Sequence, residues 1–243
     1  TLFIWPEGVF SGYSYDQIIP FKDLIFKNFS NKHHIIFGSN RLDPKSGDFY
    51  NSMLIVNNNF DIIQSYNKRK LVPFGEFLPL EKVLNNFGLK KITEGHGSFL
   101  KGQKNNNLLI DKLSILPLIC YEVIFSDLIQ KSDNSTNLIV NISEDGWFGK
   151  SIGPEQHFIH SIFRAIESGK YVLRSANNGT TAIINPMGVI EQKVDINKSG
   201  YIDLSESRKI QMSLFAKFGN KIFGFIILLY IFLIFSFKKR KNE

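Results

Sequence analysis

Leu113-Ser-Ile-Leu-Pro-Leu-Ile-Cys120 is a short apolar run that follows the turn pair Asp111-Lys112 and ends on the chain's single cysteine. A run of this length, bounded by a turn, reads as a buried strand. Working outward, Leu2–Trp5, Ile35–Gly38, Met53–Val56, Ile62–Tyr66, Leu138–Ile142, Tyr171–Arg174, Thr181–Ile184 and Val189–Val194 read the same way. Asp16–Phe29, Val123–Lys131 and Pro154–Ser168 read as helices, the last with Phe158, Ile162, Ala165 and Ile166 on one face. Asn57-Asn-Asn59, Asp111-Lys112 and Asn185-Pro-Met-Gly188 are turn clusters that join neighbouring strands as hairpins. The pattern is α/β with several antiparallel pairings and no internal repeat.

Composition narrows the class. The 243 residues carry 43% hydrophobic side chains, enough for a substantial core, so a disordered or repeat-dominated chain is excluded. One cysteine excludes an intrachain disulfide and any cysteine-rich metal centre. The formal charge of +7 is concentrated at Lys238, Lys239, Arg240 and Lys241. Without residues 238–243, which also hold one glutamate, 25 basic face 21 acidic residues, and no basic stripe for a nucleic acid is left.

Directly before that cluster, residues 222–237 form an uncharged run from Ile222 to Phe237. Sixteen residues make a helix of roughly 24 Å, shorter than a hydrocarbon core of roughly 30 Å, although Lys221 and Lys238 can extend to either interface. The absence of a polar stripe favours a short spanning helix over a core helix. The basic tail then faces the cytoplasm and residues 1 to about 215 lie on the other side, the periplasm of a bacterium. Since Thr1 leads straight into Leu2-Phe-Ile-Trp5 without a signal peptide, a preceding membrane segment is expected. The segment from Pro73 to Gly102, with Phe74, Phe77, Leu78, Leu80 and Leu84 among glycines and prolines, reads as a long excursion from the body.

Three polar residues sit at ends of apolar strands: Glu7 after Leu2-Phe-Ile-Trp-Pro6, Lys68 after Ile62-Ile-Gln-Ser-Tyr-Asn67, and Cys120. Strand ends are where an α/β scaffold projects side chains into a crevice. Singly, each has an ordinary reading, as a solvated cap, a surface lysine and a core thiol.

Together the three resemble the Glu-Lys-Cys triad of the nitrilase superfamily. Trp5-Pro6-Glu7, Tyr66-Asn-Lys68, Leu71-Val-Pro-Phe-Gly-Glu76, Ile119-Cys-Tyr-Glu122 and Asn141-Ile-Ser-Glu-Asp-Gly-Trp-Phe-Gly149 are similar to the apolipoprotein N-acyltransferase branch. So are Gly153-Pro-Glu-Gln-His157, Arg164-Ala-Ile-Glu167, Arg174-Ser-Ala-Asn177 and Asn185-Pro-Met-Gly188, all in the family's order. The resemblance implies a four-layer α-β-β-α sandwich over residues 1–214, outside the cytoplasmic membrane. Before it the family has membrane helices, and after it a last transmembrane helix region at 215–237 and a basic tail at 238–243. It implies a bacterial inner-membrane enzyme, without cofactor or metal. Its partners are a phospholipid acyl donor and an apolipoprotein acceptor, and it acts as a monomer. Glu144 departs from the family, which more often has asparagine there, so no role is carried onto it.

The implied chemistry is a two-stage acyl transfer. A thiol with an ordinary pKa near ~8.5 needs activation. Glu7 is expected to take its proton, Lys68 and the Tyr121 backbone N–H to hold the oxyanion, and the start of the following helix to favour the anion. Cys120 would accept an acyl chain as a thioester, and the α-amine of a lipid-modified N-terminal cysteine would then take it. The resemblance assigns Glu76 and Glu122 supporting positions, with structural ion pairing as the plainer reading. Trp147 and Phe148 are expected in the acyl pocket or in the core. Phe74, Phe77, Leu78 and Phe87 belong to arms that rest on lipid or to ordinary packing. Gln156, His157, Arg164 and Arg174 read as fold-maintaining. The rivals are a nitrilase-type amidase for a small C–N compound and a silent membrane-tethered binding module.

Overall fold

β-branched and aliphatic residues dominate the strands, and in the computed structural model they build two sheets. The structure describes residues 1–80, 98–103, 107–129, 135–206 and 213–240. The first sheet has the order β1 (Leu2–Ile4), β2 (His34–Leu42), β3 (Phe49–Val56), β4 (Ile62–Asn67). Its β1 runs parallel to β2, and the other pairs are antiparallel. The second is ordered β10 (Ile190–Val194), β9 (Thr181–Ile184), β8 (Tyr171–Asn177), β7 (Leu138–Glu144), β6 (Leu113–Ile119), β5 (Leu108–Ile110). Within it β6, β7 and β8 are parallel and the flanking pairs antiparallel.

Each sheet buries both faces. Ile36, Met53, Ile55 and Tyr66 of the first meet Ile115, Ile119, Val140 and Ile142 of the second in the central core. The outer face of the first sheet, Ile35, Phe37, Leu54 and Val56, packs on Ile18 and Phe26 from α1 (Tyr15–Ile18) and α2 (Lys22–Phe26). Leu118, Ile139, Val172 and Ile184 on the outer face of the second pack on Leu128 and Ile129 of α3 (Ser126–Ile129) and on Ala165, Phe158 and Ile162 of α4 (Gly153–Ser168). Helices on two outer faces and sheets between them make the expected α-β-β-α sandwich.

Several expected boundaries shift. The helix expected over Asp16–Phe29 is interrupted by a 3-10 turn at Ile19–Phe21, because Pro20 has no N–H to continue an α-helix. Val123–Lys131 becomes a 3-10 turn, Cys120–Ile124, followed by the single turn of α3, and residues 130 and 131 lie outside the described residues. Leu108–Ile110, a strand absent from the sequence reading, completes the hairpin at Asp111-Lys112. Within the excursion from Pro73, residues 81–97, including Leu84 and Phe87, lie outside the described residues.

After α5 (Leu214–Phe218) comes α6 (Lys221–Arg240). Ser213 caps α5 and also donates from its hydroxyl to the Glu167 carbonyl, which seats α5 at the end of α4. Along α6 the large apolar side chains from Phe223 to Phe237 are exposed on every face. Among the described residues no helix is long and apolar enough to cross a membrane.

Candidate active site

The two sheets bring the ends of β1, β4, β6 and β7 to one edge of the sandwich. Glu7 leaves β1 and crosses β2 at Gly38, whose N–H donates to the Pro6 carbonyl (3.2 Å). Gly38 is required there, since a Cβ would collide with the Glu7 main chain. Lys68 follows β4 directly and is buried. Its carbonyl accepts from Gly102 (2.8 Å), and a Cβ at Gly102 would strike the Asn67 main chain.

Lys68 lies between two carboxylates. Its Nζ donates to Glu76 Oε1 at 2.9 Å and stands 3.7 Å from Glu7 Oε1. Burial by itself would lower the Lys68 pKa, but the negative charges of Glu7 and Glu76 outweigh it and hold the ammonium above the ordinary lysine value. Asn51 of β3 joins the two acids, because its Nδ2 donates to Glu7 Oε1 (2.7 Å) and to Glu76 Oε1 (2.8 Å). Glu76 also accepts from the Val72 N–H through Oε2 (2.9 Å). It therefore fixes Lys68 directly and Glu7 through Asn51. The other Glu7 oxygen accepts the Glu144 N–H at 3.0 Å.

Cys120 sits between β6 and the 3-10 turn at φ +48°, a conformation a non-glycine residue adopts only when its surroundings impose it. Glu122 imposes it. Buried completely, its carboxylate accepts from the N–H groups of Ile119 (2.9 Å), Arg69 (2.7 Å) and Lys70 (3.0 Å), and from the Tyr66 hydroxyl. The Cys120 turn and the segment after Lys68 are thus tied to one carboxylate. Burial raises the Glu122 pKa, and these donors oppose the rise. The plainer reading of Glu122 as an ion-pair partner gives way to a hydrogen-bond anchor, with its acceptor capacity spent on three backbone N–H groups and the Tyr66 hydroxyl.

The thiol is not activated at rest. Burial and then the Glu7 carboxylate push Cys120 up to about 12, while Lys68 and the Ser143 hydroxyl work in the opposite direction. The helix expected to favour the anion is only a 3-10 turn and a four-residue helix, too short for an appreciable dipole. Ser143 is one residue beyond Ile142, which pairs with Ile119, and so continues the parallel register opposite Cys120. Its hydroxyl donates to Asp145 Oδ1 at 2.7 Å. Burial opposes charge on Asp145, but the His157 hydrogen bond (2.9 Å) and the Arg174 guanidinium (2.7 Å) outweigh it and hold the group at about 2. Arg174 further donates to Asn141, and Arg164 to the Val123 and Ile124 carbonyls. His157, Arg164 and Arg174 thereby brace the ends of β7 and β8 and the turn after Cys120.

The aromatic candidates scatter. Trp147 is exposed and so lies outside the core. Phe148 packs against His157 (ring centroids 5.3 Å apart). Phe74, at φ +63°, is exposed and its N–H donates to the Phe77 carbonyl (2.7 Å), closing a small loop. Leu78, expected on a lipid-facing arm, is buried. Its apolar side chain finds protein cover. Tyr121 is half-buried, with its ring edge-on to Phe125. The sequence assigns no role to Asn51 or Ser143, although Ser143 lies inside the Asn141–Gly149 motif. Each is a polar residue at an apolar strand, Asn51 before Ser-Met-Leu-Ile-Val and Ser143 after Ile-Val-Asn-Ile.

The profile of the carbon-nitrogen hydrolase family matches residues 2–212. An apolipoprotein N-acyltransferase of Rickettsia typhi is 39% identical over 193 residues, which are 76% of this chain and 38% of that protein. Those of Rhodopseudomonas palustris and Bradyrhizobium diazoefficiens are 36% and 34% identical, over 78% and 90% of this chain and 36% and 42% of theirs. The chain thus spans less than half the length of these curated relatives. Among solved structures, Saccharomyces cerevisiae Nit3, a member of branch 10 of the nitrilase superfamily, superposes with a TM-score of 0.59 at 20% identity, over 82% of this chain and 74% of its own. An amidase of Nesterenkonia sp. AN1, with acrylamide added at its active-site cysteine, gives 0.53 at 15% identity, over 80% and 76%. At these identities the two structures establish the nitrilase-like fold.

Proposed function

The chain belongs to the carbon-nitrogen hydrolase family, and from that premise we propose that it carries the catalytic part of an N-acyltransferase that moves a fatty acyl chain from a phospholipid to an apolipoprotein. The observation that carries the reading is the buried Lys68 ammonium held between Glu7 and Glu76 beside Cys120, on a turn with positive φ. The identity to apolipoprotein N-acyltransferases, at 34–39%, favours acyl transfer over hydrolysis of a small amide.

In this mechanism Glu7 is the base, and its negative charge is close enough to Cys120 to push the thiol pKa up. A thiol pushed up to about 12 is neutral at pH 7, so the proton leaves as the bond to carbon forms and no standing thiolate is exposed to oxidants. Sulfur adds to the ester carbonyl. The oxyanion is held by the Lys68 ammonium and the Tyr121 N–H, each such donor contributing about 2.7–4 kcal/mol. The C–O bond breaks, Glu7 returns the proton to the lysophospholipid alkoxide, and Cys120 keeps the acyl group as a thioester. The α-amine of the acceptor's lipid-modified cysteine then adds to the same carbonyl. Its proton passes through Glu7 to sulfur, and the amide leaves. Glu76 and Asn51 hold Lys68 and Glu7 in place, and Glu122 holds the turn.

Residues 1–214 form the catalytic domain in this reading, and α6 with the basic tail holds it to a bacterial inner membrane. The domain lies on the periplasmic side of that membrane, with the protein acting as a monomer. Support comes from α6, a helix apolar on all sides and flanked by lysines, which lacks a hydrated face. In this reading Phe74, Phe77 and the exposed Trp147 contact the acyl chain.

The full-length protein, given a phospholipid labelled in its acyl chain and a peptide with an S-diacylglyceryl N-terminal cysteine, is predicted to form a labelled amide. Glu7→Gln, Lys68→Met and Cys120→Ala should each lower that rate by at least about a hundredfold. Label released as free fatty acid at equal rate with and without peptide would instead indicate a hydrolase.

A further inference from the structure

Glu144 stands at the end of β7, where its main chain and side chain serve different neighbours. Its N–H donates to Glu7 Oε2 (3.0 Å). Its carboxylate accepts from the Gly146 N–H (2.9 Å) and Asn178 Nδ2 (3.2 Å) on Oε1, and from Asn177 Nδ2 (2.7 Å) on Oε2. Oε2 also lies so close to Gly8 that a Cβ there would push it aside, which places this carboxylate beside the residue following Glu7.

Three neutral amide donors fix the orientation of a carboxylate without cancelling its charge. A carboxylate offers about four lone-pair positions, so one acceptor position is left. Among the described residues no ammonium or guanidinium pairs with Glu144. It is half-buried and so reachable from solvent. At the same edge, Lys68 is already shared between Glu7 and Glu76. The charge of Glu144 is therefore left unbalanced, beside the residue that follows Glu7. A cationic reactant is drawn to such a place, and an anionic one is repelled.

We propose that Glu144 is a specificity-determining residue that receives the protonated α-amine of the acyl acceptor and delivers it next to Glu7. This inference rests on the acyl-transfer reading above and deepens it. An N-terminal amine arrives largely as an ammonium. Held at Glu144, it releases one proton to solvent, and its lone pair adds to the thioester carbonyl. The C–N bond forms, the C–S bond breaks with its electron pair left on sulfur, and the second proton travels through Glu7 to restore the thiol. A neutral nucleophile gains nothing from Glu144.

The experiment uses the full-length protein, acylated at Cys120 by p-nitrophenyl butyrate. The acyl group partitions at pH 7 between an S-alkyl-cysteinyl peptide, which is cationic, and hydroxylamine, which is neutral. Glu144→Gln keeps an acceptor oxygen for the amides and loses the charge; Glu144→Asn, the residue more common in the family it resembles, serves as a second variant. The ratio of peptide to hydroxylamine product should fall about tenfold in either variant, the scale of one charge-assisted hydrogen bond. In the unaltered protein, the same ratio should fall as salt is raised. An unchanged ratio in a folded variant, or a salt-independent ratio in the unaltered protein, overturns the inference while leaving acyl transfer intact. Failure of Cys120 to acylate overturns the functional reading and the inference with it.

Discussion

Lys68 is the residue around which the site is organised, since an ammonium with no exposure to speak of survives only where carboxylates surround it. Asn51 makes that arrangement possible by donating one amide group to two like-charged acids. Asn51→Leu removes both bonds and is predicted to cost about 1–3 kcal/mol, read from denaturant unfolding, and to depress acylation as well. A loss of activity with no change in stability would assign Asn51 some other part. Cys120 gives a second prediction. Because its thiol is pushed up to about 12, alkylation by iodoacetamide should rise about tenfold per pH unit from 7 to 10. A plateau near pH 7 would mean a standing thiolate. Glu7, Lys68 and Cys120 are legible in the sequence because each punctuates an apolar run. Asn51 and Ser143 are not, because a polar residue within a strand states neither which face it occupies nor what crosses above it.

Short runs bounded by turn clusters are legible almost to the residue, as at Thr181–Ile184 and Ile62–Asn67, because the turns fix where each strand begins or ends. Short helices are not. Local propensity carries Asp16–Phe29 as one helix until Pro20 removes a donor, and the turn after Cys120 is set by Glu122, a tertiary contact. α6 is the element whose surroundings matter most, with its apolar side chains facing outward. Replacing Leu228 and Ile231 with aspartate should release the protein from phospholipid vesicles in a flotation assay, as each charge placed in hydrocarbon costs about 2.5–3.5 kcal/mol. Retention of the variant on the vesicles would contradict a membrane role for α6.

For the molecule as a whole, the sandwich acts as a clamp. Glu7 and Lys68 come from one sheet, Cys120 and Ser143 from the other, and the central core of Ile36, Met53, Ile55, Ile119 and Ile142 fixes the distance between them. Glu122 crosses the same gap by bonding Tyr66, Arg69 and Lys70. The two-sheet pairing could be expected from the resemblance but not from strand propensity, which is silent on which sheet a strand joins. The reading that unites these scales is that the clamped cysteine carries an acyl group between two substrates. Intact-protein mass spectrometry tests it directly, on the full-length protein incubated with phosphatidylethanolamine and no acceptor. The account predicts one added acyl mass that hydroxylamine removes and that Cys120→Ala never acquires. An unmodified Cys120 in a protein that still transfers acyl chains to a lipopeptide would contradict it.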